Sequence, residues 1–255
     1  MLILLPPSEG KTAPASGPGL DLAALSFPEL GQTRSTVLAE LTRQCHSDPD
    51  HAAALLGLGP KQSDDIGRNA DLKRQPCGAA IDVYTGVLFD ALGYSAQSAR
   101  ARRRTRQHVA ISSGLWGLVR PADLIPAYRL NGSVTLPGLG TLARTWKEPV
   151  SSALAQTAEL IIDLRSGTYV SLGPIPAAAA DRAVTVRVLQ EKAGRRTVVS
   201  HHNKATKGRL VRALMESKLT PRTPTALQRS LTELGFHVED DGVSAIGTHL
   251  DVIVD

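Results

Sequence analysis

The sequence predicts an α+β fold, a mixed β-sheet surrounded by helices, and three observations carry that expectation. Apolar runs at Met1–Leu5, Val109–Ile111 and Leu160–Leu164 have the length of buried strands and lead into polar or proline-bearing segments. Between them lie stretches with apolar residues at helical spacing, as at Val37, Leu38, Leu41 and Cys45. Hairpin signals at Asn131-Gly132, Ala193-Gly194 and Asp240-Asp241-Gly242 imply antiparallel pairs as well. A length of 255 residues is enough for one or two domains, and length alone does not choose.

Taken in order, Met1–Leu5 is a strand stopped by Pro6 and Pro7. The stretch from Ala13 to Pro28, rich in Pro, Gly, Ala and Ser, is an irregular surface excursion. A helix around Val37–Cys45 follows, and then Ser47 and Asp48 cap a short helix from Pro49 to Leu56. Gly57-Leu58-Gly59 breaks that helix and Pro60 opens another reaching Leu72, so the unit reads as a helix-hairpin-helix. A further helical pattern passes through Val87, Leu88, Ala91 and Leu92, and Ser95 caps the arginine-rich helix after it. The strand at Val109–Ile111 opens into Ser112–Gly117 and Arg120–Asp123, a strand-end loop of the kind that carries function. Tyr128–Leu130 and Val134–Leu136 should pair across Asn131-Gly132. Val184–Val188 and Thr197–Ser200 form a second hairpin, helices cover Lys204–Lys218 and Thr225–Leu234, and two strands close the chain from Phe236 to Asp255.

No apolar run reaches about 18 residues, and Met1–Leu5 is too short and uncharged for a signal peptide, so a cytoplasmic protein with no membrane contact is expected. Cys45 and Cys77 lack C-x-x-C spacing and read as free thiols. The net charge of +5 is small, so its distribution matters more than its size. Of 29 basic residues 21 are arginine, and Arg100, Arg102, Arg103, Arg104 and Arg106 fall within seven positions. That run covers more than one face of a helix. It is either a stripe for phosphate, with Arg100, Arg103 and Arg104 as candidate contacts, or a solvated helix surface.

Three other constellations carry chemistry. Gly57 and Gly59, with Lys61 beside them, can bring backbone N–H groups to a phosphate at a helix start; an ordinary glycine C-cap is the competing reading. His201–Arg209 is the densest polar run, and Lys204 and Lys207, three apart at an expected helix start, share a face suited to an anion together with Arg209. Glu9-Gly10-Lys11-Thr12 ends like a phosphate-binding loop, but Leu5 occupies the first glycine position and Pro6 and Pro7 remove donors, so no nucleotide-cradling loop is expected. Asp163, Arg165, Ser166 and Tyr169 follow a strand, and Tyr84, Asp123, Tyr128, Arg129 and Trp146 stand near element ends. As strand ends converge, these residues are expected to line one cleft with Glu9 and Lys11. His201 and His202 point apart on a strand, so neither a metal nor a cofactor is expected.

Pro6–Lys11, Tyr84-Thr85-Gly86, Ser113–Leu118 continuing to Arg120–Asp123, and Tyr128-Arg129-Leu130 together resemble the signature of the YaaA peroxide-stress family, in the same order. Trp146, Asp163–Tyr169 and Lys204–Arg209 extend the resemblance to nearly the whole chain. The resemblance implies a single domain over residues 1–255, a helix-hairpin-helix, a basic DNA-binding cleft and a part in limiting iron-linked oxidative damage. By position it assigns the hairpin to Gly57–Lys61 and the cleft to Lys11, Lys204, Lys207 and Arg209. It supplies no reaction. The expected function is therefore sequence-independent binding of duplex or distorted DNA. The alternative is an enzyme acting on a small anionic or nucleotide-like substrate, with Glu9, Lys11, Asp163, Lys204 and Lys207 as candidate catalytic residues.

Overall fold

The computed structural model describes residues 1–59, 62–192, 195–197 and 200–254, with the backbone alone at 192, 195 and 200–202. Strand β1 (Leu2–Leu5) is aliphatic throughout and at most 1% exposed at any residue. A strand covered on both faces needs no alternation, which is why this one reads as a continuous apolar run. The chain then crosses the surface with only short 3-10 turns at Leu22–Ala24 and Pro28–Leu30, as its composition implied. Helix α1 (Gly31–Ser47) buries Val37, Leu38, Leu41 and Cys45. Helix α2 (Pro49–Leu55) starts on Asp48, whose side chain accepts from the His51 N–H. Helix α3 (Asp64–Ala70) follows.

Strand β2 (Gly78–Ala79), α4 (Ala80–Val83), α5 (Val87–Leu92) and α6 (Ala99–His108) lead into β3 (Val109–Ser113) and β4 (Gly117–Val119). Ser98 caps α6 by accepting from the Ala101 N–H, three residues later than the sequence suggested. After β5 (Leu124–Ile125), the hairpin expected at Asn131-Gly132 is absent among the described residues. The Asn131 carboxamide instead accepts from the Ser133 N–H and hydroxyl, closing a local side-chain turn. The strands that do pair here are β6 (Thr135–Leu136) and β7 (Gly140–Thr141). Helix α7 (Leu142–Ala155), β8 (Ile161–Asp163), α8 (Gly167–Ser171), β9 (Ala183–Lys192) and β10 (Arg195–Thr197) come next. The chain ends with α9 (Ser200–Glu216), α10 (Pro224–Glu233), β11 (His237–Ser244) and β12 (Gly247–Val254).

The principal sheet has the order β11-β12-β9-β8-β1-β3-β4, with β10 paired to β9. Its centre, β12, β9, β8, β1 and β3, is parallel, while β11, β10 and β4 are antiparallel additions, so the α+β class with a mixed sheet holds. Ile3 stands opposite both Val109 and Ile162, which centres β1 between its neighbours. Helix α9 packs against α5 through Gly208, where a Cβ would collide with the Leu88 carbonyl oxygen and press on Ala91. The glycine costs helix propensity and permits that close approach. Among the described residues no helix is long and apolar enough to cross a membrane.

Candidate functional site

Adjacent parallel strands β1 and β8 send the chain in opposite directions, β1 toward β3 and β8 toward β9. Connections that diverge in this way leave a crevice beyond the carboxyl ends of the strands. A cleft of about 500 Å³ lies there. It is walled by Pro6, Pro7 and Glu9 after β1, by Arg165–Tyr169 after β8, and by Arg187, Asn203, Lys204 and Lys207 from β9 and α9.

The charge at the cleft is unevenly committed. Asp163 and Arg165 form a buried bidentate pair, with Nε and Nη2 donating to the carboxylate at 2.9 and 2.6 Å. Arg165 also donates to the Tyr169 and Gly173 carbonyls, so the pair fixes the β8–α8 connection. Asp163 is thus bound to a guanidinium and is not the free proton-handling carboxylate that the enzyme reading assigned to it. Arg187, which no sequence motif singles out, donates to Asp251 and Asp241. Among the described residues neither Lys204 nor Lys207 forms a salt bridge. Lys207 is 8% exposed, and its amine donates to the Leu164 carbonyl at 2.8 Å. Burial lowers its pKa to about 8, partly offset by the charge of Asp163. Asn203 adds a buried amide oxygen with no partner among the described residues. Helix α9 begins at Ser200, so Lys204 and Lys207 stand beyond its first turn rather than at the expected helix start. The side chains of His201 and His202 lie outside the described ones. Arg209 is exposed, donates to the Thr206 hydroxyl, and is absent from the cleft wall.

The loop after β1 is held by the motif residues. The Lys11 amine donates to the Ser8 carbonyl at 2.8 Å and lies 4.4 Å from the Tyr128 ring centre and 5.4 Å from that of Tyr84. Burial, with an opposing contribution from Glu9, lowers its pKa to about 8. The Tyr84, Tyr128 and Ser113 hydroxyls form a chain with spacings of 2.8 and 2.6 Å. Tyr84 and Tyr128 therefore support the loop from inside the core. Trp146 is fully buried and donates to the Gly114 carbonyl, and Asp123 accepts from Ser26 and the Arg120 N–H. Trp146 and Asp123 have their polar atoms satisfied within the fold, and neither they nor Lys11, Tyr84, Tyr128 or Arg129 line the cleft, contrary to the expectation.

Glu9 and Asn131 also border a second groove that passes Arg129 and ends at Leu55, Leu56 and Gly57. The Asn131 amide donates to Glu9 at 2.6 Å, and Arg129 donates to the Glu9 carbonyl at 2.9 Å. Glu9 and Asn131 thus stand between the groove that ends at the Gly57 turn and the cleft that Lys204 and Lys207 line. The turn itself is a helix C-cap. Gly57 has φ of 64°, Leu58 N–H donates to Ala53 at 2.9 Å, and Gly57 N–H donates to Ala54 at 3.1 Å. Gly59 N–H donates to the Gln62 side chain, so these three amides are already used. The next described α-helix, α3, carries Asp64 and Asp65 in its first turn, and that charge disfavours phosphate. Pro60 and Lys61 lie outside the described residues.

The arginine helix is placed elsewhere. Arg100 donates to the Glu216 carbonyl, and Arg104 donates to Ser217 and Leu219 at 2.7 and 2.6 Å. Both cap the carboxyl end of α9, about 18 Å along its axis from Lys204. Arg103 is exposed on the same helix. The lysines and the Gly57 turn therefore line two neighbouring cavities that share Glu9 and Asn131, and Arg100 and Arg104 stand at the opposite end of α9.

The fold and site define an α+β protein with a cationic cleft at the switch point of a mixed sheet. Residues 1–241 match the family described as peroxide stress protein YaaA, and the chain belongs to that family. A UPF0246 protein of Streptomyces coelicolor is 42% identical across 100% of this chain and 98% of its own length. UPF0246 proteins of Corynebacterium efficiens and Corynebacterium glutamicum strain R are 44% and 39% identical, covering 88% and 94% of this chain and 88% and 96% of their own lengths.

Proposed function

We propose that the protein binds DNA by its phosphate backbone, without reading sequence, at the cleft that Lys204 and Lys207 line. It acts in the cytoplasm during peroxide stress and limits iron-linked oxidative damage. The observation that carries this reading is the amine of Lys207, 8% exposed in the cleft wall and without a salt bridge among the described residues, the neighbouring carboxylate being paired to Arg165. A polyanion supplies the missing counter-charge. Membership of a peroxide-stress family supports the cellular setting.

The test is fluorescence anisotropy of a labelled duplex across a salt series. Contact with roughly four to six phosphates gives a log-log slope of about −4 to −5. Affinity that barely changes between low and moderate salt refutes the proposal. A second reading, an enzyme acting on a small anion, is favoured by the cleft volume of about 500 Å³ and by a lysine whose pKa of about 8 leaves a fraction of free amine. With Asp163 engaged, Glu9 is the carboxylate left at the wall. Turnover of an anionic metabolite that is lost in Glu9→Gln supports this second reading; no turnover and no thermal shift across a metabolite panel dismiss it.

A further inference from the structure

The cationic cleft has an apolar annex. A compartment of about 260 Å³ is bounded by Pro6, Pro7, Glu9 and Lys204, which also line the cleft, and is completed by Val87, Leu88 and Phe89. It is preformed. The Thr85 N–H donates to the Ser8 hydroxyl at 3.0 Å and to the Gly10 carbonyl at 3.3 Å, which pins the loop after β1 against the start of α5. Phe89 is held by stacking on Tyr84 with ring centres 5.5 Å apart. One ligand chemistry matches an apolar slot joined to an amine-lined cleft with a carboxylate at the junction. A nucleobase fills the slot, its phosphate meets the lysines, and an exocyclic amino group donates to the carboxylate.

We propose that this two-compartment site holds a single nucleotide, with the base between the Pro6-Pro7 wall and Val87–Phe89, the phosphate at Lys204 and Lys207, and Glu9 facing the base edge. The proposal deepens the DNA-binding reading and rests on it for the source of the nucleotide, a residue extruded from a duplex. A free mononucleotide shares the chemistry and is the other source.

Three duplexes separate the outcomes: fully paired, carrying one bulged cytidine, and carrying an abasic analogue at the bulge. The base should add about tenfold in affinity over the abasic bulge. Val87→Phe, which fills the compartment, should erase that difference and leave the fully paired duplex unchanged. Circular dichroism and thermal melting confirm that the variant folds, and the wild-type comparison stands without it. Equal affinity for cytidine and abasic bulges, with paired duplex still bound in a salt-dependent way, overturns the nucleotide site and spares the DNA reading. If no duplex binds, the DNA reading fails and titration with cytidine monophosphate against ribose 5-phosphate decides. A clear preference for the nucleotide, lost in Val87→Phe, assigns the site to a free ligand; no preference overturns it.

Discussion

Replacing Lys207 with methionine should make the protein more stable and less able to bind an anion. The side chain is 8% exposed, its amine has one carbonyl partner, and burial lowers its pKa from 10.5 to about 8. Because folding depresses the pKa of a cation, the unfolded chain holds more protons between pH 8 and 10.5. Wild-type stability therefore rises with pH through that window, and below pH 8 the protein carries the full cost of a buried charge. That cost is about 3 kcal/mol. Methionine keeps the length and apolar contacts, removes the charge, and forfeits a hydrogen bond worth about 1 kcal/mol. The net gain at pH 7 is about 2 kcal/mol, or about 5 °C in Tm for a chain of this size. Urea denaturation of both proteins at pH 7, 8, 9 and 10 should show the gap closing as pH rises and reversing slightly near the top of the range. Lys11 shows the same depression but is present in both proteins, so it cancels in the difference. A variant that is less stable at pH 7, or a gap that ignores pH, refutes the reasoning.

Other substitutions sort structural charges from functional ones. Asp163→Asn strands the buried Arg165 guanidinium and should cost about 3 to 5 kcal/mol in a denaturation assay, large enough to impair folding whether or not any reaction is involved. Arg104→Ala removes two hydrogen bonds from the carboxyl end of α9 and should cost about 1 to 2 kcal/mol by urea denaturation, with little change in duplex affinity. Gly57→Ala meets no atom within 4 Å but forces a left-handed backbone, so it should cost about 1 kcal/mol. Duplex affinity should hold within about twofold, because the cap already uses the amides of the turn.

Much of this architecture was legible because local signals and burial agree. The Leu2–Leu5 strand, the Asp48 cap and an antiparallel β9–β10 pair follow from runs of a few residues, although that pair falls at Gln190–Lys192 rather than Val184–Val188 and the Ala193-Gly194 turn lies outside the described residues. The failures share one cause, competition from partners distant in sequence or from the side chain itself. Asn131-Gly132 has the dipeptide of a hairpin, but Asn131 spends its carboxamide on Ser133 and Glu9. The arginine run looks like a phosphate stripe until α9 brings its terminal carbonyls to Arg100 and Arg104, more than a hundred residues away in sequence. The tetrapeptide Leu56–Gly59 fits both a hairpin and a cap; the bonds to Ala53 and Ala54 show the cap, and the Pro60-Lys61 half of the expected hairpin lies outside the described residues. The cleft was anticipated as a meeting of strand ends, but its walls were not, because they depend on β1 and β8 being neighbours.

The most direct test compares the salt slope of duplex binding in the wild type, Lys204→Ala and Arg104→Ala. If the lysine end of α9 meets the phosphates, the slope loses about one in Lys204→Ala and stays unchanged in Arg104→Ala. An unchanged slope in Lys204→Ala, with the loss appearing in Arg104→Ala, would place the polyanion at the other end of the helix and contradict the assignment.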